Sequence, residues 1–428
     1  MSEREVFILG TGLTTSIGKN TRENIDSVTA MKTGIARYPR EDLPAFLQYK
    51  AEAKEYALPP DIPPKQEGQM KFLNRGAVLG FCSSCEAISG FREKMPDVPP
   101  ARRALYIASG DFTKVGYDFM HPALKDSADS NWQRVDQEKL NISALNKVNP
   151  FYLLESLHNN LFSFLSAFME FMGPNTSLAS LSPNGGNALE LAYRSIKQNK
   201  ADVAMAVGYG NWITEIPVYE LEGLGILSKC RAGVHSYRPF DKGRDGFIPG
   251  EGGAAVFLAS SDVARQWGAE TGGKILGLGN SVEFSPDQRL GVPEQVIRRN
   301  ILTVLKDSGC DISDLAFIIP HGSGTQKGDR SELRSIMDIT GSKNDVPVCG
   351  LKPYTGHMGA ASDIAEVIFG IYAVKNRTVP ATLNFRETEK AFSGLKISNA
   401  PRPCAKDRFL SISYGVGGQS SSVIVEVA

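Results

Sequence analysis

An apolar run that closes on glycines, Val6-Phe7-Ile8-Leu9-Gly10-Thr11-Gly12, returns later in the chain as Lys274-Ile275-Leu276-Gly277-Leu278-Gly279. Each copy leads through a polar loop into an amphipathic stretch, the second one carrying Val296, Ile297, Asn300, Ile301, Val304 and Leu305. The apolar residues 315–319 have an earlier counterpart in residues 203–207. Apolar runs ended by glycine read as buried strands, and the repeated strand–helix order predicts an α/β chain of two related halves. The boundary falls near residues 265–271, giving an N-terminal half 1–265 and a C-terminal half 266–428. With 428 residues, 42% of them hydrophobic, the chain can bury one large core or two fused ones.

Two glycine-rich stretches hold the most reactive side chains. Pro320-His321-Gly322-Ser323-Gly324-Thr325, followed by Gly328-Asp329, precedes Lys352-Pro353-Tyr354-Thr355-Gly356-His357. Each follows a short apolar run, so each histidine is expected at a strand end. Glycine beside a histidine lets backbone and substrate approach closely. Two neutral imidazoles aimed at one point can polarise a thioester carbonyl and stabilise an enolate as a carboxylate leaves. At these motifs the chain resembles the β-ketoacyl synthase family, thiolase-related condensing enzymes of fatty-acid and polyketide synthesis. That family places its first histidine in His-Gly-Thr-Gly-Thr and its second in Lys-x-x-x-Gly-His; this chain reads His-Gly-Ser-Gly-Thr at the first and matches the second. A run from Arg238-Pro239-Phe240-Asp241 through Arg244-Asp245-Gly246-Phe247 to Gly250-Glu251-Gly252 resembles another family segment almost letter for letter. Gly, Asp and Arg between apolar strands make a tightly hydrogen-bonded turn, read here as scaffolding under the site. The resemblance runs from Gly10 to Ile424 and implies a thiolase-like five-layer α/β/α/β/α fold of two duplicated halves.

The same resemblance sets Ser182 where the family carries its cysteine nucleophile. Gly173-Pro174-Asn175 through Ser182-Pro183-Asn184-Gly185-Gly186 aligns without a gap to Gly-Pro-Asn … Thr-Ala-Cys-Ser-Ser-Gly. Leu189, Ala192 and Ile196 follow at helical spacing, which puts Ser182 at a strand-to-helix turn. The positive end of a helix dipole lowers a thiol pKa and favours an oxyanion. A thiol of pKa about 8.5 needs only a modest shift to ionise. A serine hydroxyl is far weaker as an acid, and a dipole worth roughly 0.3–2 kcal/mol does not ionise it. Ser182 therefore needs a general base, for which His321 and His357 are the candidates. Pro183 and Asn184 also depart from the small residues usual there, and three adjacent changes point to natural divergence rather than an engineered replacement. The resemblance further implies that Lys352, Asp329 and Glu332 form a buried network holding the histidines. In Tyr414-Gly415-Val416-Gly417-Gly418 it implies that the Val416 amide joins Ser182 in the oxyanion hole, without the family's aromatic gate.

Lys+Arg and Asp+Glu number 47 each, so net charge argues neither for nucleic acid nor for an anionic membrane. Six cysteines in so long a chain fit free thiols in a reducing cytoplasm, and Cys82-x-x-Cys85 in a helical apolar pattern reads as core. No run is long enough to span a bilayer and no secretory leader is evident, which predicts a cytoplasmic protein. His158 and His235 read as structural and His121 as solvated; residues 41–67 and 111–147 read as solvated excursions. No metal or resident cofactor is expected. The resemblance implies substrates carried on the phosphopantetheine of an acyl carrier protein. It also implies a homodimer, or a heterodimer with a related ketosynthase, paired through residues 175–181. Three functions follow from it: decarboxylative condensation through Ser182, which leads; a chain-length-factor-like partner role; and malonyl decarboxylation.

Overall fold

A computed structural model describes residues 4–39, 44–110, 117–155, 157, 159–179, 183–284, 292–341 and 345–427. Within them one sheet holds β1 (Val6–Thr15), β2 (Arg103–Ser109), β3 (Asn175–Ala179), β4 (Val203–Asn211), β5 (Glu251–Ser260), β6 (Gly273–Val282), β7 (Leu315–Ile319), β8 (Pro347–Val348), β9 (Lys396–Ile397), β10 (Arg408–Tyr414) and β11 (Gln419–Glu426). Their order is β9-β8-β7-β10-β11-β6-β1-β5-β4-β2-β3. The join in the middle is short, with only Val6, Phe7 and Ile8 of β1 facing Ile275, Lys274 and Gly273 of β6.

On the two sides of that join the topology repeats. One side runs β3-β2-β4-β5-β1 and the other β8-β7-β10-β11-β6. Counted from its own first strand, and leaving out the short edge strand β9, each side has the order 3-2-4-5-1. In each, the first three strands are parallel and the last two antiparallel.

Six helices complete the layers: α1 (Arg75–Ile88), α2 (Asn160–Met169), α3 (Asn184–Lys197), α4 (Arg298–Ser308), α5 (Gln326–Thr340) and α6 (Ala360–Lys375). α1 and α2 cover the N-terminal strands from outside and α4 covers the C-terminal ones; α5 packs beside α4, its Leu333 and Ile336 joining the apolar cluster of Leu315, Ile318 and Leu410. α3 and α6 lie between, each touching strands of both halves. This is the thiolase-like α/β/α/β/α arrangement. A helix with half of the sheet on either side must be apolar nearly all round, and α6 is buried along almost its whole length. Its start presses into β4: a Cβ on Gly208 would lie 2.4 Å from the Ala360 carbonyl oxygen, and one on Gly210 would lie 2.3 Å from that of Met358. Glycine on the strand is what lets the segment after His357 come this close.

Several expectations need correcting. Residues 41–67 are not a solvated excursion throughout: Tyr49–Ala51 pairs with Ile35–Arg37, and Ala51 and Ala53 are fully buried. The Ala53 N–H donates to Glu251, whose carboxylate also holds Arg75. Within 111–147 the chain forms two helices, Tyr117–Ser127 and Gln137–Lys147. His121 is stacked on Trp132 at 5.8 Å rather than free in solvent. His235 is exposed and bonded to Asn384 at 3.0 Å; His158 lies outside the described residues. Cys82 and Cys85 are buried on α1. Among the described residues, no helix is long and apolar enough to cross a membrane.

Candidate active site

β7 ends at Ile319, and His321 follows after Pro320 in a loop whose amides have no strand partner. Two carboxylates of α5 satisfy them instead. Glu332 accepts the His321 and Gly322 N–H groups, both at 2.8 Å. Asp329 accepts the Gly324 N–H at 2.9 Å and the Ser323 hydroxyl at 3.1 Å. Asp329 also accepts the Phe240 N–H at 2.7 Å and faces Arg244 at 3.5 Å. Arg244 is itself buried and donates to the carbonyls of Asp241, Thr325 and Gln326. The Arg- and Gly-rich central segment is therefore the clamp beneath the first histidine loop, and its Gly246 N–H closes onto the Gly324 carbonyl at 2.8 Å.

The second histidine is fixed by the same segment. The His357 N–H donates to the Ile248 carbonyl and its own carbonyl accepts from Gly250, both at 2.9 Å. The Gly359 N–H donates to His357 Nδ1 at 3.2 Å. An accepting Nδ1 leaves Nε2 as the protonated nitrogen of a neutral ring. That Nε2 lies 3.2 Å from Nε2 of His321, with the ring centroids 5.0 Å apart. Trp212 stacks on His357 at 4.6 Å, Phe247 flanks it at 4.8 Å, and Tyr414 flanks His321 at 4.6 Å. Both rings are 3% exposed. Burial holds each well below the ordinary histidine value, reinforced by the nearby Lys352 and, for His321, by His357.

Lys352 Nζ donates to the His321 carbonyl at 2.6 Å and to both carboxylate oxygens of Glu366, at 2.9 and 3.0 Å. Burial pushes the Glu366 carboxyl up to about 8, against the pull of Lys352. Glu366 escaped the sequence reading, as did Trp212. Two carboxylates, Asp363 and Glu366, inside the largely apolar α6 were the available signal, since a buried charge needs a partner.

The structure thus brings His321, His357, Lys352, Asp329 and Glu332 together. Val416 is half-buried in the turn joining β10 to β11, two residues beyond Tyr414, which touches His321. Ser182 lies outside the described residues; the described chain resumes at Pro183, the residue before α3. A cavity of about 700 Å³ opens beside that first turn, lined by Pro183, Asn184, Asn187, Asn280, Arg299 and Gln419 among others, and the two histidines do not line it.

Gly359 offers a check on how the second histidine is held. Its φ of 59° and ψ of −134° suit glycine alone, and a Cβ there would come within 2.9 Å of the Trp212 ring. Gly359→Ala is expected to cost about 1–3 kcal/mol of stability. Urea denaturation measures it, and an unchanged midpoint would show that the turn yields freely.

The described residues form a duplicated thiolase-like fold that buries two histidines against each other. Residues 3–264 match the model for the β-ketoacyl synthase N-terminal domain, and residues 287–386 match that for the C-terminal domain. The chain belongs to the β-ketoacyl synthase family. It is 26% identical to 3-oxoacyl-[acyl-carrier-protein] synthase 2 of Coxiella burnetii (strain RSA 493 / Nine Mile phase I), covering 99% of each chain. It is 22% identical to the protein of the same name from Staphylococcus aureus (strain N315), covering 98% of each. Its fold resembles that of a β-ketoacyl synthase from Burkholderia phymatum STM815, with TM-score 0.84 and 22% identity over 99% of this chain and 100% of that one. The ishigamide ketosynthase/chain length factor gives TM-score 0.82 and 21% identity, with each chain covered in full.

Proposed function

We propose that this protein acts on a malonyl group carried as a thioester by an acyl carrier protein, and that His321 and His357 drive its decarboxylation. The pair of Nε2 atoms 3.2 Å apart, in neutral and buried rings, carries this reading. A thioester oxygen placed against the two Nε2 atoms would gain charge as the bond from the α-carbon to the carboxylate breaks. The electron pair moves onto that oxygen as carbon dioxide leaves, and donors already in position stabilise it. Lys352 and Glu332 do not reach the reacting atoms in this scheme; they hold the His321 backbone. The enolate then attacks an acyl group, as in condensation, or takes a proton and leaves as an acetyl thioester.

Support for an acyl group on Ser182 is weaker, because a hydroxyl there needs a base and Pro183 removes an amide from the turn. The same features favour a second reading, a partner subunit that pairs with an active ketosynthase. β3 pairs only with β2 among the described residues, so its outer edge is open to a strand from a second copy or a related chain. Intact mass and carbon dioxide release, measured after incubation with acyl- and malonyl-carrier protein, separate the three outcomes. An adduct at Ser182 supports condensation through that residue. Gas release without an adduct supports decarboxylation, and neither signal supports the partner role.

The depressed histidine values set the pH dependence. The rings stay neutral below the ordinary value, so carbon dioxide release per folded molecule is expected to show no acid limb near pH ~6.5. An acid limb centred there would show rings titrating as exposed ones do. Stability moves differently. The unfolded chain protonates these two rings as pH falls through about 6.5 and the folded chain does not, so their contribution is lost progressively below that point.

A further inference from the structure

The two histidines are held in different ways. Glu332 and Lys352 fix the backbone N–H and carbonyl of His321, which settles its main chain but not its ring. His357 has its Nδ1 tied to the Gly359 N–H and one face covered by Trp212. His321 Nδ1 is buried and has no hydrogen-bond partner among the described residues. Its Nε2 faces His357, on the side where a thioester oxygen would sit. Apart from that contact, packing orients the His321 ring. Its neighbour there is Tyr414, with ring centroids 4.6 Å apart and an interplanar angle of 56°.

Tyr414 ends β10 and is 4% exposed, and its hydroxyl pins it. That oxygen lies 3.0 Å from Ser323 Oγ, two residues beyond His321 in the same loop. Ser323 has one hydroxyl proton, and the strongest acceptor within its reach is the Asp329 carboxylate at 3.1 Å. In its own bond to Ser323, Tyr414 is therefore the donor. Burial raises the Tyr414 hydroxyl well above the ordinary tyrosine value, with Glu332 and Asp329 adding to it, so the donor keeps its proton. Burial raises the Asp329 carboxyl as well, opposed by Arg244 and by the Phe240, Gly324 and Ser323 donors around it. α5 makes room for the hydroxyl, since a Cβ on Gly328 would collide with the Tyr414 oxygen. The line Tyr414–Ser323–Asp329 thus ties an aromatic ring to the clamp beneath the His321 loop.

We propose that Tyr414 is the positioning residue of the His321 imidazole. Its hydroxyl, fixed through Ser323 to Asp329, sets its ring, and that ring holds His321 Nε2 at the reacting oxygen. The proposal rests on the reading that His321 acts on a carrier-bound malonyl group, and it deepens that reading. Tyr414 acts through His321 and not on substrate, giving the first histidine what the Gly359 N–H gives the second.

The test follows the His321 ring itself. Histidine labelled with carbon-13 at Cε1 marks the five histidines of the full chain, and His321→Ala identifies the His321 resonance. Tyr414→Phe removes only the hydroxyl and keeps a ring of nearly the same magnetic effect, so a displaced resonance reports a turned ring. The His321 resonance is expected to move or split in this variant. Tyr237→Phe is the control: its buried hydroxyl donates to the Gly322 carbonyl of the same loop at 3.2 Å, while its ring lies against Phe247. It is expected to leave the His321 resonance in place. An unmoved resonance in Tyr414→Phe overturns the proposal. Equal movement in both variants overturns it too, because the hydroxyl would then support the loop alone. In Tyr414→Phe, kcat for carbon dioxide release is expected to fall about tenfold with KM unchanged, part of the ~10² that a displacement of about 1 Å costs. A change in KM alone counts against the proposal. Should Tyr414→Phe fail to fold, Ser323→Ala breaks the same bond from its other end and decides by the same resonance. A wild type that releases no carbon dioxide sinks the decarboxylase reading and leaves the resonance to decide the positioning.

Discussion

Alanine at His357 is expected to lower carbon dioxide release from malonyl-carrier protein by ~10²–10³-fold, the usual cost of one preorganised oxyanion donor. The ring is neutral and its Nδ1 is held by the Gly359 N–H, so its Nε2–H is aimed before substrate arrives. Alanine at His321 is expected to cost a similar factor, and the double variant little more than either one, because the two donors act on one oxygen. Rates equal to wild type for both single variants would show that the pair takes no part in the chemistry. Unchanged near-ultraviolet circular dichroism would separate lost chemistry from lost fold.

The second large effect concerns stability and has a built-in asymmetry. Glu366→Ala removes the carboxylate that holds Lys352 through both of its oxygens and leaves a buried ammonium with only the His321 carbonyl. Breaking a buried pair in this way costs about 3–5 kcal/mol. Lys352→Met is expected to cost less. Burial already pushes the Glu366 carboxyl up to about 8, so without the lysine it takes a proton and stays neutral. Urea denaturation of the two variants near neutral pH reads the difference. The reverse order would mean that the lysine, and not the glutamate, is the group that can shed its charge.

Much of this protein was legible before any coordinates. The glycine-ended apolar runs announced two halves because a buried strand writes its burial into consecutive residues. The repeated 3-2-4-5-1 topology is what those runs build. His321, His357 and Lys352 were legible for a related reason: each sits in a short contiguous motif that must turn sharply and approach a substrate, and only a narrow set of residues does that. Asp329 and Glu332 were placed with them by the family resemblance alone; the structure supplies the reason, since the helix after the first loop returns both carboxylates to that loop's own amides.

Other features were invisible because they depend on contacts between distant parts of the chain. Trp212 ends up stacked on His357, and nothing local to either residue foretells it. Residues 41–67 looked polar and solvated, yet Ala51 and Ala53 are buried because Pro249 and Glu251 supply partners for their amides. Glu366 and Asp363 lie three residues apart on one helix and are of one chemical type, yet one clamps a lysine beneath His321 while the other accepts the Gly185 N–H at the start of α3. Local sequence determined the family, the duplicated fold and the two histidines, since strand burial and tight loops are written in neighbouring residues. The tertiary structure alone decided which buried carboxylate meets which positive group, because that follows from how the two halves of the sheet press α3 and α6 against each other.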